Sequence, residues 1–198
     1  MAKVTGPLMS MDARGKIADS LVFIGWKGIQ TVRQFIIPAN PDTDKQKAVR
    51  AHMTLAVARW HDVNLTMDDK YAWDAYAPLM PKPMSGFNTF VRTDVLIQKE
   101  ALTPIVLHTF GISDAVGAQL EVSVSTTTGK ALKVYWGTKK TKLDTSANMV
   151  EDGSTGVYEY TIPTLPPGVT YFAYCIVTTE ANAGSRTGIL GKEVAETE

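Results

Sequence analysis

Three histidines and one cysteine are the side chains of this 198-residue chain best suited to hold a metal or carry a nucleophilic step. His52 and His61 fall in one predicted helix, but not at the i, i+4 spacing of a helical metal pair. His108 belongs to a different region. With Cys175 as the lone cysteine, the usual zinc clusters cannot be assembled. The three histidines therefore read as solvated or partly packed groups. Cys175 sits in "YFAYCIV", where Tyr171, Ala173, Cys175 and Val177 share one strand face. If Tyr171 points inward, so does Cys175, and a buried cysteine behaves as a small hydrophobe. A nucleophile would need a lowered pKa and a nearby base, and the sequence indicates neither.

The acid pairs offer no better constellation. Asp68-Asp69 falls at a helix start and Glu151-Asp152 in a loop, where acids serve capping and solvation. "GWKG" lacks the spacing and the Ser/Thr of a phosphate loop. No catalytic, cofactor-binding or metal-binding residue is assigned, and the chain reads as a non-enzyme. Lys45, Lys47, Arg50 and Arg59 share one helix that could dock on phosphates. Asp42, Asp44, Asp62, Asp68 and Asp69 surround them, and 20 basic residues balance 20 acidic ones. The better reading is a mixed solvated face, with nucleic acid disfavoured as a partner. No apolar run approaches a membrane span, and the first residues carry no apolar signal core. Neither a membrane partner nor export through a standard signal is expected.

The elements that would position these residues divide into three regions. Residues 1–41 read as an extended β-hairpin arm. Leu21–Ile24 and Val32–Ile37 are its two apolar runs, Gly25 and Gly28 allow the turn, and Pro38, Asn40 and Pro41 end it. Residues 42–103 read as a small helical domain. Asp42 or Thr43 can cap its first helix, with Gln46 completing a box after Thr43. Val49, Met53, Ala56, Val57 and Trp60 then fall on one face. Thr66 and Asp69 mark a second start, before Tyr71, Trp73, Ala75 and Tyr76. Proline-rich "PLMPKP" breaks that helix. Ser85 can cap a third, whose apolar side is Phe87, Phe90, Val91 and Val95. Residues 104–198 change period: "LEVSV", "ALKVYWG", "VYEYTI" and "VTYFAYCIVT" alternate between turn residues, as in an antiparallel sandwich. The boundary is expected near Ala101–Thr103, before Pro104, with the two later regions folding independently. The fold class is thus multidomain α+β.

The last region resembles a fibronectin type III or Ig-like domain. The carrying residues are "VYWGTKKTKLD" and "YEYTIPTLPPGVTYFAYCIVTTEANAGSRTG", with Leu165, Gly168 and Tyr171 matching the corner motif of that fold. The resemblance implies that the Tyr171 hydroxyl bonds back to nearby backbone. Trp136 departs from the usual core placement. Roughly residues 14–92 resemble a family of small proteins encoded in bacteriophage and prophage structural-gene regions. "GKIADSLVFIGWKGIQTVRQF", "NPDTDKQKAVR", Trp60, Trp73 and "SGFNTF" carry it. That resemblance implies a structural protein of a tailed-phage particle, as capsid decoration or in the neck or tail, located in the virion after assembly in the host cytoplasm.

Two contact surfaces are expected on this view. A lone hairpin is marginal in water, so it either packs on the helices as part of one small core or takes its missing strands from a neighbouring subunit, and the second is the sharper expectation. Val22, Phe23, Ile24, Trp26, Val32 and Phe35 would be the assembly contacts, and Lys16, Lys27 and Arg33 would keep the free arm soluble. On the sandwich, Phe172, Tyr174 and Ile176 would form an outer contact face if Tyr171 points inward. The partners would be other virion proteins and copies of the chain itself, with a host-surface glycan as a further candidate. The rival reading is a carbohydrate- or ligand-binding module acting as a free monomer, with Tyr135, Trp136 and Tyr158 as candidate stacking aromatics.

Overall fold

The computed structural model describes residues 2–3, 14–26, 29–37, 39, 42–82 and 84–195. The chain divides into two compact units, Met1–Thr43 and Asp44–Glu198. Gly28, Pro38, Asn40 and Pro41, read above as turn and terminating residues, lie outside the described residues, as does the Trp26 side chain.

The first unit is a four-stranded antiparallel sheet. Its strands are β1 (Ala2–Lys3), β2 (Gly15–Ile17), β3 (Leu21–Trp26) and β4 (Ile29–Gln34), in the order β1-β4-β3-β2. The expected hairpin is β3 and β4, with Trp26 opposite Ile29 across a two-residue connection. It is not lone, however. Ala2 pairs with Val32 on one side, and Gly15 and Ile17 pair with Phe23 and Leu21 on the other. The expectation that its missing strands come from another subunit is therefore corrected: both flanking strands belong to this chain. A tight connection makes β2 possible. Ala18 adopts a positive φ of 47°, the Ser20 N–H and hydroxyl donate to the Ile17 carbonyl, and Lys16 pairs with Asp19 at 2.7 Å. The second apolar run also stops earlier than read, because β4 ends at Gln34.

The second unit opens with α1 (Asp44–Trp60), α2 (Met67–Tyr76) and α3 (Gly86–Lys99). Thr66 and Asp69 form the reciprocal box at the start of α2, and the Ser85 hydroxyl accepts from the Asn88 N–H to cap α3. Ala56, Trp73, Phe90 and Val91 make the small helical core, flanked by Val57, Trp60, Tyr76, Phe87 and Val95. Trp73 and Trp60 both meet Phe90, with ring centroids 5.3 and 5.2 Å apart. The apolar face expected along α1 is buried only toward its C-terminal end; Val49 and Met53 are exposed. Arg59, read as part of a solvated basic face, instead reaches the buried Asp94 of α3 at 2.8 Å.

Eight strands follow: β5 (His108–Ala115), β6 (Gln119–Ser125), β7 (Leu132–Gly137), β8 (Thr145–Asn148), β9 (Val150–Glu151), β10 (Val157–Ile162), β11 (Thr170–Val177) and β12 (Leu190–Glu193). They form two four-stranded sheets, β5-β6-β10-β9 and β12-β11-β7-β8. In immunoglobulin nomenclature these are the A-B-E-D and G-F-C-C′ orders, so the topology is that of an Ig-like sandwich. The period-2 alternation does what it should. Leu120, Val122 and Val124 of β6, Leu132, Val134 and Trp136 of β7, and Ala173, Cys175 and Val177 of β11 all turn inward and are buried.

Helices and sandwich do not meet through a free linker. Within this unit, the Thr103 N–H donates to the Ala181 carbonyl at 3.0 Å, and the Asn182 side chain donates back to the Thr103 carbonyl at 2.7 Å. Pro104 is buried. The Ile189 N–H donates to the Ala72 carbonyl of α2 at 2.9 Å. Gly188 makes that approach possible, since a Cβ there would lie 2.1 Å from the Ala72 backbone. The strongest tie is Asp69. Its carboxylate accepts from the Thr66 N–H and hydroxyl and from the Thr109 and Phe110 N–H groups of β5, at 2.7–2.9 Å. The acid read as a cap is thus also a joint. The independence expected of residues 42–103 and 104–198 gives way to one compact unit.

Candidate functional site

Two surfaces are candidates. The first is the N-terminal sheet. Side chains alternate across it, so Ile17, Leu21, Phe23 and Val32 share one face while Val22, Ile24 and Ile29 share the other. Phe23 is the one hydrophobe of this unit that is buried among the described residues. Ile17, Leu21 and Ile29 are exposed by two-fifths or more, and Ile36 and Ile37, beyond β4, by 69% and 79%. The expected contact residues therefore split between two faces. Val22, Ile24, Val32 and Phe35 are half-buried, and the most exposed hydrophobes are ones not singled out in the sequence. Lys16 lies over the Phe35 ring at 4.5 Å, and the Phe35 N–H donates to the Ser20 carbonyl at 2.8 Å.

The second is a groove of about 490 Å³ at one end of the sandwich. Trp136, Gly137, Leu165 and Tyr171 line its inner wall. Thr138, Lys139, Lys142, Asp144 and Thr145, from the β7–β8 connection, line its rim. That connection folds into a turn in which the Lys142 N–H donates to the Lys139 carbonyl at 3.0 Å. Trp136 and Tyr171 are brought together because β7 and β11 are neighbours, with Trp136 opposite Ala173. Asp144 pairs with Lys142 at 3.0 Å.

The corner expected at Tyr171 is not made. Leu165 is buried and Gly168 turns with φ of 72°, as the motif requires. The Tyr171 hydroxyl, however, has no hydrogen-bond partner among the described residues; the ring packs against the sandwich core and borders the groove. Tyr158 of β10 plays the tethering role instead. Its buried hydroxyl accepts from the Lys130 N–H at 2.7 Å and donates to the Thr127 carbonyl at 3.3 Å. Burial pushes the Tyr158 phenol up from its ordinary pKa. Tyr158 was a candidate for stacking on sugar; it is core.

The outer face of β11 carries Phe172, Tyr174 and Ile176, as the register predicts. All three are half-buried rather than free. Tyr174 stacks on Tyr135 with centroids 5.0 Å apart. The Arg186 guanidinium lies between the Tyr174 and Tyr76 rings, 4.1 Å from each, and donates to the Tyr76 hydroxyl at 3.1 Å. Lys140 lies over Phe172 at 5.3 Å. This ladder runs from β7 to α2, so Tyr174, in the middle of the expected contact face, belongs to an internal seam of the unit. Arg186 gave no sequence signal, since a single arginine in a turn-rich stretch has no period. Burial lowers its pKa from the usual arginine range.

The remaining reactive groups stay apart. His52 shares a 2.8 Å hydrogen bond with Gln98, His61 is exposed, and His108 bonds the adjacent Thr109 hydroxyl. No cluster of three metal-ligating side chains occurs among the described residues. Cys175 is buried, and desolvation pushes its thiol well above the ordinary range. That is the opposite of activation.

No known protein family and no curated protein matches the sequence. Solved structures resemble parts of it at a distance. The Br derivative of BhCBM56 is 15% identical over 42% of this chain and 88% of its own, with a TM-score of 0.35. The chicken interferon gamma receptor alpha chain is 16% identical over 50% and 55%, with a TM-score of 0.37. The fn3 domain of human contactin 1 is 13% identical over 49% and 85%, with a TM-score of 0.36. Likenesses this distant assign neither ligand nor partner to this chain.

Proposed function

We propose that the chain is a non-enzymatic structural protein of a tailed-bacteriophage particle, anchored through its N-terminal sheet and presenting its Ig-like sandwich. The observation that carries this reading is the N-terminal sheet itself. Ile17, Leu21 and Ile29 on its faces and Ile36 and Ile37 beside it are left exposed by their own unit. A single-layer sheet reaches a stable state by packing its apolar face on a second layer, and here a neighbouring particle protein or another copy would supply it. The short outer strands β1 and β2 leave backbone groups that a partner strand can extend. The resemblance of residues 14–92 to phage structural-region proteins points the same way, and the inert Cys175 and scattered histidines supply no competing catalytic reading.

Deleting residues 1–40 tests this. The shortened chain should keep the fold of residues 44–198, which carry their own core, and its copy number in purified particles should fall to background. Incorporation at normal occupancy would reject the anchor. Failure to fold would mean that the sheet serves the rest of the chain instead. The groove beside Trp136 favours a second reading, a carbohydrate- or ligand-binding module acting as a free monomer. Light scattering separates the two: a monomer that stays monomeric and ignores isolated particles supports the second.

A further inference from the structure

The groove at the end of the sandwich holds polar groups that the fold leaves unused. Trp136 is 8% exposed and packs against Tyr160, with ring centroids 5.5 Å apart. Its indole N–H has no hydrogen-bond partner among the described residues. The half-buried Tyr171 hydroxyl, on the same wall, has none either. Neither tip is sealed from solvent, so each is open to a partner carried by a ligand. Here both border a concavity whose volume falls in the range of roughly 300–1,000 Å³ typical of small-ligand sites.

The chemistry of the lining restricts the ligand. Leu165 and the Tyr171 ring give an apolar strip, and Thr138 and Thr145 add hydroxyls at the rim. Charge is uneven. Asp144 is the one acid of the lining and is paired with Lys142, whereas Lys139 has no acidic partner among the described residues. Lys140, in the same turn, adds a further positive charge. A matching ligand needs many acceptors, one weakly polar face to lie on the strip, and an anionic group for Lys139. A purely apolar ligand would bury the two unpaired donors, at a cost. A simple anion would leave the strip and the hydroxyls unused.

We propose that this groove binds a saccharide bearing a carboxylate. The sugar hydroxyls and ring oxygen would meet Tyr171, Trp136 and the threonines, and the carboxylate would meet Lys139. The proposal is independent of the particle reading. A virion component and a free module could both use the site, and loss of particle incorporation would not bear on it.

The test uses the full chain, labelled with nitrogen-15 and titrated with tetragalacturonate, N-acetylneuraminic acid, neutral cellotetraose and inorganic sulfate. At least one acidic saccharide should shift the Trp136 indole resonance and the Lys139–Lys142 amides saturably below about 10 mM, the weak end of specific recognition. Cellotetraose should bind several-fold more weakly. Tyr171→Phe, which keeps the ring against the core and removes only the hydroxyl, and Lys139→Ala, at an exposed position, should each weaken binding about three- to tenfold. Three results would overturn the proposal: no shift from either acidic saccharide, equal shifts from sulfate or cellotetraose, or unchanged affinity in both folded variants.

Discussion

The N-terminal sheet and the sandwich are built from the same kinds of residue, yet they bury them very differently. Each has antiparallel strands with apolar residues in alternation. In the sandwich a second sheet closes over the first, and Leu120, Val122, Val124, Val134, Cys175 and Val177 lose essentially all contact with water. In the N-terminal unit no described residue reaches that state; Phe23, its most buried hydrophobe, keeps 9% of its surface exposed. Strand-forming sequence is therefore a poor guide to self-sufficiency. What matters is whether the same unit also provides the covering layer. The second unit goes further and ties its helices to the sandwich with buried polar groups, and Asp69 is the clearest case.

Breaking that joint should give the largest effect. Asp69→Ala strips the Thr66, Thr109 and Phe110 N–H groups of a charged acceptor, and a loss of about 3 kcal/mol or more is expected. Denaturant midpoints check it; a loss below about 1 kcal/mol would mean that helices and strands hold together without the carboxylate.

Alkaline pH should separate the two units next. The raised thiol pKa means that Cys175 keeps its proton in the folded state and releases it on unfolding once pH passes about 8.5. Unfolding then releases a proton, so stability is full below that pH and declines above it, by about 1.4 kcal/mol per pH unit. Tyr158 adds the same sign above about pH 10. The first unit contains neither cysteine nor tyrosine. Amide exchange from pH 7 to 10 should accordingly show the decline in residues 44–198, and a Cys175→Ala variant should lose most of it. An equal decline in that variant would assign the effect elsewhere.

The two tyrosines sharpen the picture within the sandwich. Tyr158→Phe should cost about 1 kcal/mol, because the Lys130 N–H loses its acceptor. Tyr171→Phe keeps the ring against the core and removes only an unpaired hydroxyl, so it should stay within about 0.5 kcal/mol. Thermal unfolding of both variants decides this, and the reverse order would restore the corner to Tyr171. The smallest stability change, within about 0.5 kcal/mol, is expected for Ile36→Ser with Ile37→Ser. That pair should nonetheless lower particle incorporation, measured by copy number, and unchanged incorporation would remove these residues from the anchor.

Much of the fold was legible because it is written in local periods. The period-2 runs from Leu120 to Val177, the Thr66–Asp69 box and the Ser85 cap each appear where the sequence places them. The inward turn of Cys175 and the outward turn of Phe172, Tyr174 and Ile176 follow from the same alternation. The candidate surfaces were less legible. β2 has a single apolar residue in three and no detectable period, so the partner strand of the hairpin went unseen. Nor does Tyr171 differ from Tyr158 in local pattern; each is a tyrosine on an inward strand face.

What the sequence determined by itself was therefore the three helices, the β3–β4 hairpin and the strands β6, β7, β10 and β11 with their inward faces. Tertiary structure decided which groups meet across long separations: Asp69 with the start of β5, Arg186 between Tyr76 and Tyr174, and Trp136 beside Tyr171 at an open end of the sandwich. The reason is physical. Periodicity records which side of an element faces water, a property of near neighbours in the chain. Hydrogen bonds and ring contacts between distant segments depend on how layers are stacked, and that is fixed when the whole core packs.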